Sequence, residues 1–283
     1  MLGFYYKFCR SVLTNPKSHI KTLYYIDLYC GDGETYDPKT KESYDTAFIT
    51  SLAKDGVKEM GLNIRFLLND INPESIDKLK AKLISLGVDK NIIDINCGDA
   101  NEYIEKALKL VPKNEWSIFF LDPFNYKDLK WETIKKISNH SNGPTRKPEL
   151  IINLPIYTLN MGYESKNYDS IDKFFGDRSW LDRIETYKLT NLPRPNTQAF
   201  LDVFVEKLKS LGYQVKSVSV PTIDTNSPVY FMIFAIANPK GFKIAERALN
   251  NVEKLKEDWK KEKIIKAVRA KAKIEYGKTL EDF

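Results

Sequence analysis

Acidic residues stand at four places where the chain leaves an apolar run. Asp27 lies in YYIDLYCGDG (24–33), just ahead of the turn Gly31-Asp32-Gly33; Asp70 closes LLND; Asp99 sits in CGDA (97–100); and Asp122 opens DPFNY (122–126). A Gly-x-Gly after a strand admits positive φ and close approach of a ligand to the backbone. Acids around such a turn suit a ligand that carries cations. S-adenosylmethionine, with an ammonium, a sulfonium and no phosphate, fits that charge pattern, whereas a pyrophosphate is poorly served beside Asp27 and Asp32. The dinucleotide fingerprint further requires a third glycine opening a helix and an acid about 20 residues on. Here Gly33 leads into the polar, proline-containing ETYDPKTKE, and Asp70 lies 37 residues beyond it.

On this reading Asp27 and Asp32 face the methionine ammonium, directly or through water. Gly31 and Gly33 let the methionine portion approach the backbone, with Tyr29 beside them. Asp70 holds the ribose hydroxyls next to Ile71, and Asp99 accepts from the adenine amine while Ala100 donates its backbone N–H. Plainer roles exist for two of these: Asp32 as a turn residue, and Asp99 as the cap of a helix opening at Asn101. Asp27 and Asp70 resist such an explanation, because an acid at a buried strand end needs a partner.

Asp122-Pro123-Phe124 is the candidate catalytic stretch. Enzymes that methylate exocyclic amines place Asp/Asn-Pro-Pro-aromatic after the fourth strand. The acid and a backbone carbonyl accept the amine's hydrogens, aiming its lone pair at the methyl group, while the aromatic stacks on the base. This chain is one residue short of that form, and the same residues also fit a strand-to-loop turn with Phe124 in the core. Asn125 and Tyr126 follow as candidate substrate contacts. A look-alike, NLPIY (153–157), reads as a sheet-edge turn; the alternative is that Asn153 and Tyr157 line the acceptor side. The two histidines, His19 and His140, stand beside no nucleophile or metal set, which disfavours His-based hydrolysis and zinc chemistry; no metal site is expected.

These residues need strands and helices to position them. Apolar or β-branched runs at 24–28, 64–69, 92–96, 117–121 and 149–154 alternate with helix-like stretches at 45–54, 74–86, 101–111 and 128–138. In the second of these, Ile76, Leu79, Leu83 and Leu86 recur at helical spacing and Gly87 follows as a stop. Continuous apolar strands separated by helices predict a parallel sheet covered on both faces. A helix at 197–211 then precedes YQVKSVSV (213–220) and VYFMIFAIA (229–237), with no room for a crossover between them, so they are expected to be antiparallel. The fold class predicted is therefore α/β: a Rossmann-like class I methyltransferase fold, a mostly parallel seven-stranded sheet with a terminal antiparallel hairpin. The methyltransferase-like domain is expected over 1–239. Its segment 155–196, rich in aromatics, either packs on the sheet or stacks bases as a substrate cap. A basic helical extension is expected over 240–283.

The 283 residues, 42% apolar, suffice for one large core, and no apolar run is long enough to span a membrane. MLGFYYKFCR lacks the features of a signal peptide, and Cys9, Cys30 and Cys97 form neither a disulfide framework nor a CxxC clip, so a cytoplasmic location is expected. Of the net charge of +6, the last 44 residues carry +5, and 260–273 is basic enough to grip phosphates, although a solvated helix face explains it equally.

The order of these motifs resembles the three-Cys-motif partner protein family. YYIDLYCGDG followed by SYDTAF is similar to its first motif, FFLDPFNYKDLKWETIKKI to its Asp-Pro-Phe and tryptophan-bearing helix, and ELIINLPI and VYFMIFAIANPKGFKIAERAL to its fifth strand and terminal strand-plus-helix. The resemblance implies a methyltransferase-like protein using S-adenosylmethionine and encoded beside a radical-type iron–sulfur protein with a three-cysteine motif, a candidate partner. Asp27, Gly31, Gly33 and Asp122 match by position. Asp32 stands where the family tends to have proline, and Ser43-Tyr44-Asp45 replaces a Gly-Ser-Pro-like helix start; both departures bear on cofactor affinity more than on fold. The resulting expectation is methylation of an exocyclic amine of a nucleic-acid base. The alternatives are a non-catalytic subunit that binds the iron–sulfur protein, RNA or DNA, and, less favoured, a nicotinamide-dependent enzyme.

Overall fold

The computed structural model describes residues 22–37, 42–45, 63–221, 228–247 and 249–250. The helix expected at 45–54 lies outside them except for Asp45, as does the basic stretch 260–273. Seven strands form one sheet: β1 (Leu23–Asp27), β4 (Ile64–Asp70), β5 (Ile93–Cys97), β6 (Trp116–Leu121), β7 (Glu149–Leu154), β8 (Gln214–Pro221) and β9 (Pro228–Ile236). Their spatial order is β5-β4-β1-β6-β7-β9-β8. The first five are parallel, while β9 pairs antiparallel with both β7 and β8. This order, with its terminal hairpin, is that of the class I methyltransferase fold predicted above. A second sheet, β2 (Glu34–Asp37) with β3 (Glu42–Asp45), is antiparallel and follows the glycine turn. Sequence periodicity gave no sign of it, because ETYD and ESYD are too polar to read as strands.

Side chains alternate between two cores, as a sheet covered on both faces requires. Leu23 and Tyr25 of β1, with Phe66, Leu68, Ile118 and Ile151, face α1 (Pro73–Ser85). Ala245 and Leu249, from the chain that follows β9 and is helical over 239–247, join the same core. The extension expected from residue 240 thus begins inside a packed helix. Ile26, Leu67, Phe119, Leu121 and Ile152 face the opposite core, with α2 (Ala100–Leu110) and α3 (Trp131–Asn139).

Segment 155–196 belongs to that second core. It forms α4 (Ile156–Glu164), α5 (Tyr168–Phe175) and α6 (Ser179–Lys188), followed by α7 (Pro195–Ser210). Phe174 stacks on Phe204 at 5.4 Å and Phe175 on Phe200 at 5.7 Å, while buried Trp180 donates its indole N–H to Asp172 at 2.9 Å. Of the two readings of these aromatics, packing describes Phe174, Phe175 and Trp180. NLPIY is not a sheet-edge turn: β7 is flanked by β6 and β9, and Pro155 leads directly into α4.

Candidate cofactor and acceptor site

In open α/β sheets ligands bind beyond the carboxyl ends of the strands, where strand order reverses. Here the reversal lies between β1 and β6, the strands that end at Asp27 and just before Asp122. Asp27 is 4% exposed and accepts a hydrogen bond from the Tyr29 N–H at 3.0 Å. Burial, with smaller contributions from the Asp122 and Asp70 carboxylates, pushes its pKa up to about 8; the Tyr29 N–H only partly offsets this. No described basic side chain forms an ion pair with it. Such a carboxyl favours a cation brought by a ligand.

The turn after β1 is fixed by Asp70. Its Oδ2 accepts the Gly31 N–H at 2.9 Å and its Oδ1 the Asn72 N–H at 2.8 Å, leaving lone pairs on both oxygens for ligand hydroxyls. Gly31 has φ +58° and Gly33 φ +79°. A Cβ at Gly31 would meet nothing within 4 Å, so what demands glycine there is the backbone angle and not lack of space. Asp32 accepts the Glu34 N–H at 3.0 Å, which is turn geometry.

A residue that the sequence did not single out ties the strand ends together. Asn69 is fully buried; its Nδ2 donates to the Leu28 carbonyl at 3.1 Å and the Gly98 carbonyl at 3.0 Å, and its Oδ1 accepts from Asn96 Nδ2 at 2.8 Å. One amide thereby joins the turns after β1 and β5 across β4. A polar residue breaking the apolar run IRFLL just before Asp70 was the available signal. Asp99 accepts the Asn101 N–H at 2.6 Å and caps α2, with Ala100 as its first, buried residue. Ile71, beside Asp70, is 71% exposed, as a surface for a planar adenine would be.

On the other side of the switch point, Asp122 is half-buried and its Oδ1 accepts from Asn153 Nδ2 at 2.6 Å. Burial raises its pKa and the Asn153 donation opposes the rise. Pro123 is buried, whereas Phe124 is 92% exposed, so the turn does not place Phe124 in the core. Asn125 caps the short turn Tyr126–Asp128, accepting the Lys127 N–H at 3.1 Å. Tyr126, expected as a substrate contact, is 2% exposed and packs edge-on against Phe174, its hydroxyl buried without a hydrogen-bond partner among the described residues. Its N–H donates to Thr158 Oγ1 at 3.3 Å, which sets the DPFNY stretch beside α4. On that helix Tyr157 is 62% exposed, and Met161, one turn on, is also exposed. Among the described residues no group of three or more His, Cys, Asp or Glu side chains could hold a metal ion, and no helix is long and apolar enough to cross a membrane.

The donor set fits S-adenosylmethionine: a buried carboxyl with no ion-pair partner among the described residues, a second carboxyl at the next strand end, and a glycine turn between them. No protein-family model and no curated protein sequence matches the chain. Among solved structures, WbdD bound to a kinase inhibitor aligns over 84% of this chain and 39% of its own, with 13% identity and a TM-score of 0.44. This chain thus spans about two-fifths of the WbdD chain. The methyltransferase domain of bacterial CtHen1 aligns over 83% of this chain and 97% of its own, with 16% identity and a TM-score of 0.42. An rRNA methylase from Streptococcus thermophilus aligns over 83% and 94%, with 11% identity and a TM-score of 0.39.

Proposed function

We propose that the chain is an S-adenosylmethionine-dependent methyltransferase acting on an exocyclic amine of a nucleic-acid base. The observation that carries this reading is Asp27, a buried carboxyl at the switch point with no ion-pair partner among the described residues. Asp27 receives the methionine ammonium, Asp70 the ribose, and Ile71 one face of the adenine. When bound, the cofactor would supply a methyl group activated by its sulfonium, the C–S bonding pair staying with sulfur and the proton shed by the methylated nitrogen passing to solvent. Asp122 accepts a hydrogen bond from the acceptor amine, turning its lone pair toward the methyl group, and Phe124 stacks on the ring that bears it. The base is favoured as acceptor because Phe124 and Tyr157 are large aromatics left in water near Asp122, and an exposed aromatic face gains by stacking on a base. The sequence resemblance to the three-Cys-motif partner family agrees with this reading and adds an iron–sulfur protein as the proposed partner.

Isothermal titration with S-adenosylmethionine is the direct test. Absence of binding by the pure protein, alone and with its partner, would overturn the cofactor assignment. Labelled methyl transfer to DNA, RNA and protein pools then identifies the acceptor. Asp122→Ala is expected to keep cofactor affinity and lose transfer; turnover that survives would refute the role of Asp122.

A further inference from the structure

Asp122 and Asn153 face each other across adjacent parallel strands, one step beyond the register pair Leu121–Ile152. Asn153 donates to Asp122 Oδ1 at 2.6 Å, while its own Oδ1 is shielded from solvent and has no hydrogen-bond partner among the described residues. Buried acceptors in folded proteins are almost always paired, and an apolar residue of the same shape would avoid the cost of an unpaired one. Every other residue of the stretch Leu150–Leu154 is apolar. An asparagine that leaves its own oxygen unpaired while donating to a neighbouring carboxylate is explained by that carboxylate.

We infer that Asn153 is the positioning residue of the acceptor site: it fixes one oxygen of Asp122 and turns the other, Oδ2, toward the acceptor amine. The inference rests on the role given to Asp122 above. The other titratable groups near Asp122 are Asp27 and Tyr25 on β1 and Tyr230 on β9. Each is an acid, so none of them favours the ionised form of Asp122; the Asn153 N–H donation is what opposes the rise that burial causes.

The test replaces Asn153 with leucine, which keeps the shape and removes both the donor and the unpaired acceptor. Three quantities are compared with the wild type: the melting temperature, the Asp122 carboxyl titration followed by carbon NMR, and the pH profile of methyl transfer. Asn153→Leu is expected to melt at or above the wild-type temperature and to bind the cofactor within twofold. Its Asp122 midpoint should rise by about one pH unit or more. Transfer at pH 7 should fall tenfold or more, and the acid limb of its pH profile should move to higher pH together with the Asp122 midpoint. Asn153→Asp, which sets a second carboxyl against Asp122, should raise the midpoint further and serves if the leucine variant does not fold. An unchanged Asp122 midpoint in a folded variant overturns the inference. If the wild type transfers no methyl group to any acceptor, the enzymatic reading fails instead, and the titration alone decides whether Asn153 governs Asp122.

Discussion

Asp27 is where a single residue carries the most chemical consequence. Its pKa near 8 means that the free protein holds a neutral carboxyl there at pH 6.5. A ligand cation placed against it favours the ionised form, so binding must expel the proton. Titrations of S-adenosylmethionine at pH 6.5 in buffers of different ionisation enthalpy should report release of close to one proton per ligand. Asp27→Asn should bind more weakly and release none. Equal proton release by that variant would place the ammonium elsewhere. The sequence made Asp27 legible because an acid at the end of an apolar strand has few structural reasons to be there. Asp32 and Asp99 were legible only as alternatives, since an Asx turn and a helix cap use the same residue types as a ligand contact. In both cases the described geometry includes the local role. The burial of Tyr126 was not legible, because DPFNY does not reveal which of its two aromatics points outward; that depends on α4 packing alongside.

Two elements illustrate how packing sets the site. α4 approaches the DPFNY turn so closely that a Cβ on Gly162 would lie 2.6 Å from the Tyr126 hydroxyl and 2.8 Å from its ring. Gly162→Ala should therefore cost about 1–3 kcal/mol by overpacking. Tyr126→Phe removes a buried, unpartnered hydroxyl and should be neutral or stabilising. It should also relieve the hydroxyl part of the alanine's clash in the double variant, a coupling that a thermodynamic cycle measures. Because Tyr126 is core, Tyr126→Phe should leave transfer unchanged; a loss of turnover would return it to the site. β4 plays the corresponding part on the cofactor side. Asn69→Leu removes the staple between the turns after β1 and β5, leaving two carbonyls without their donor, and should lower stability by about 2–3 kcal/mol. Cofactor affinity should drop with it, since Leu28 is covalently next to both Asp27 and Tyr29. Wild-type affinity in a folded Asn69→Leu protein would show that the turns hold their places unaided.

Across the whole molecule, the alternation of apolar runs and helical stretches made the sheet and its closing hairpin readable, because its central strands β4, β1, β6 and β7 are runs of buried apolar residues. The β2–β3 pair was not, because nothing in its composition distinguishes a short polar strand from a loop. The folded chain also stores two acids at opposite edges of the same sheet. Asp27 ends β1 at the proposed ligand edge, while Glu149 opens β7 at the other, close to Gly241 in the closing helix. Burial pushes each to about 8. In the unfolded chain both lose their protons near pH 4, so between about 4 and 8 the folded state binds more protons. These two groups therefore make stability fall as pH rises through that window and level off above it, at about 1.4 kcal/mol per unit of displacement for each. Melting curves of the ligand-free protein from pH 5 to 8.5 should show this descent. A cationic ligand at Asp27 can remove only that residue's share, so the melting temperature should gain more from S-adenosylmethionine at pH 8 than at pH 5.5. The Glu149 share should persist with ligand bound and disappear in Glu149→Gln. A ligand-induced gain that is the same at both pH values would mean that the bound cation does not meet Asp27.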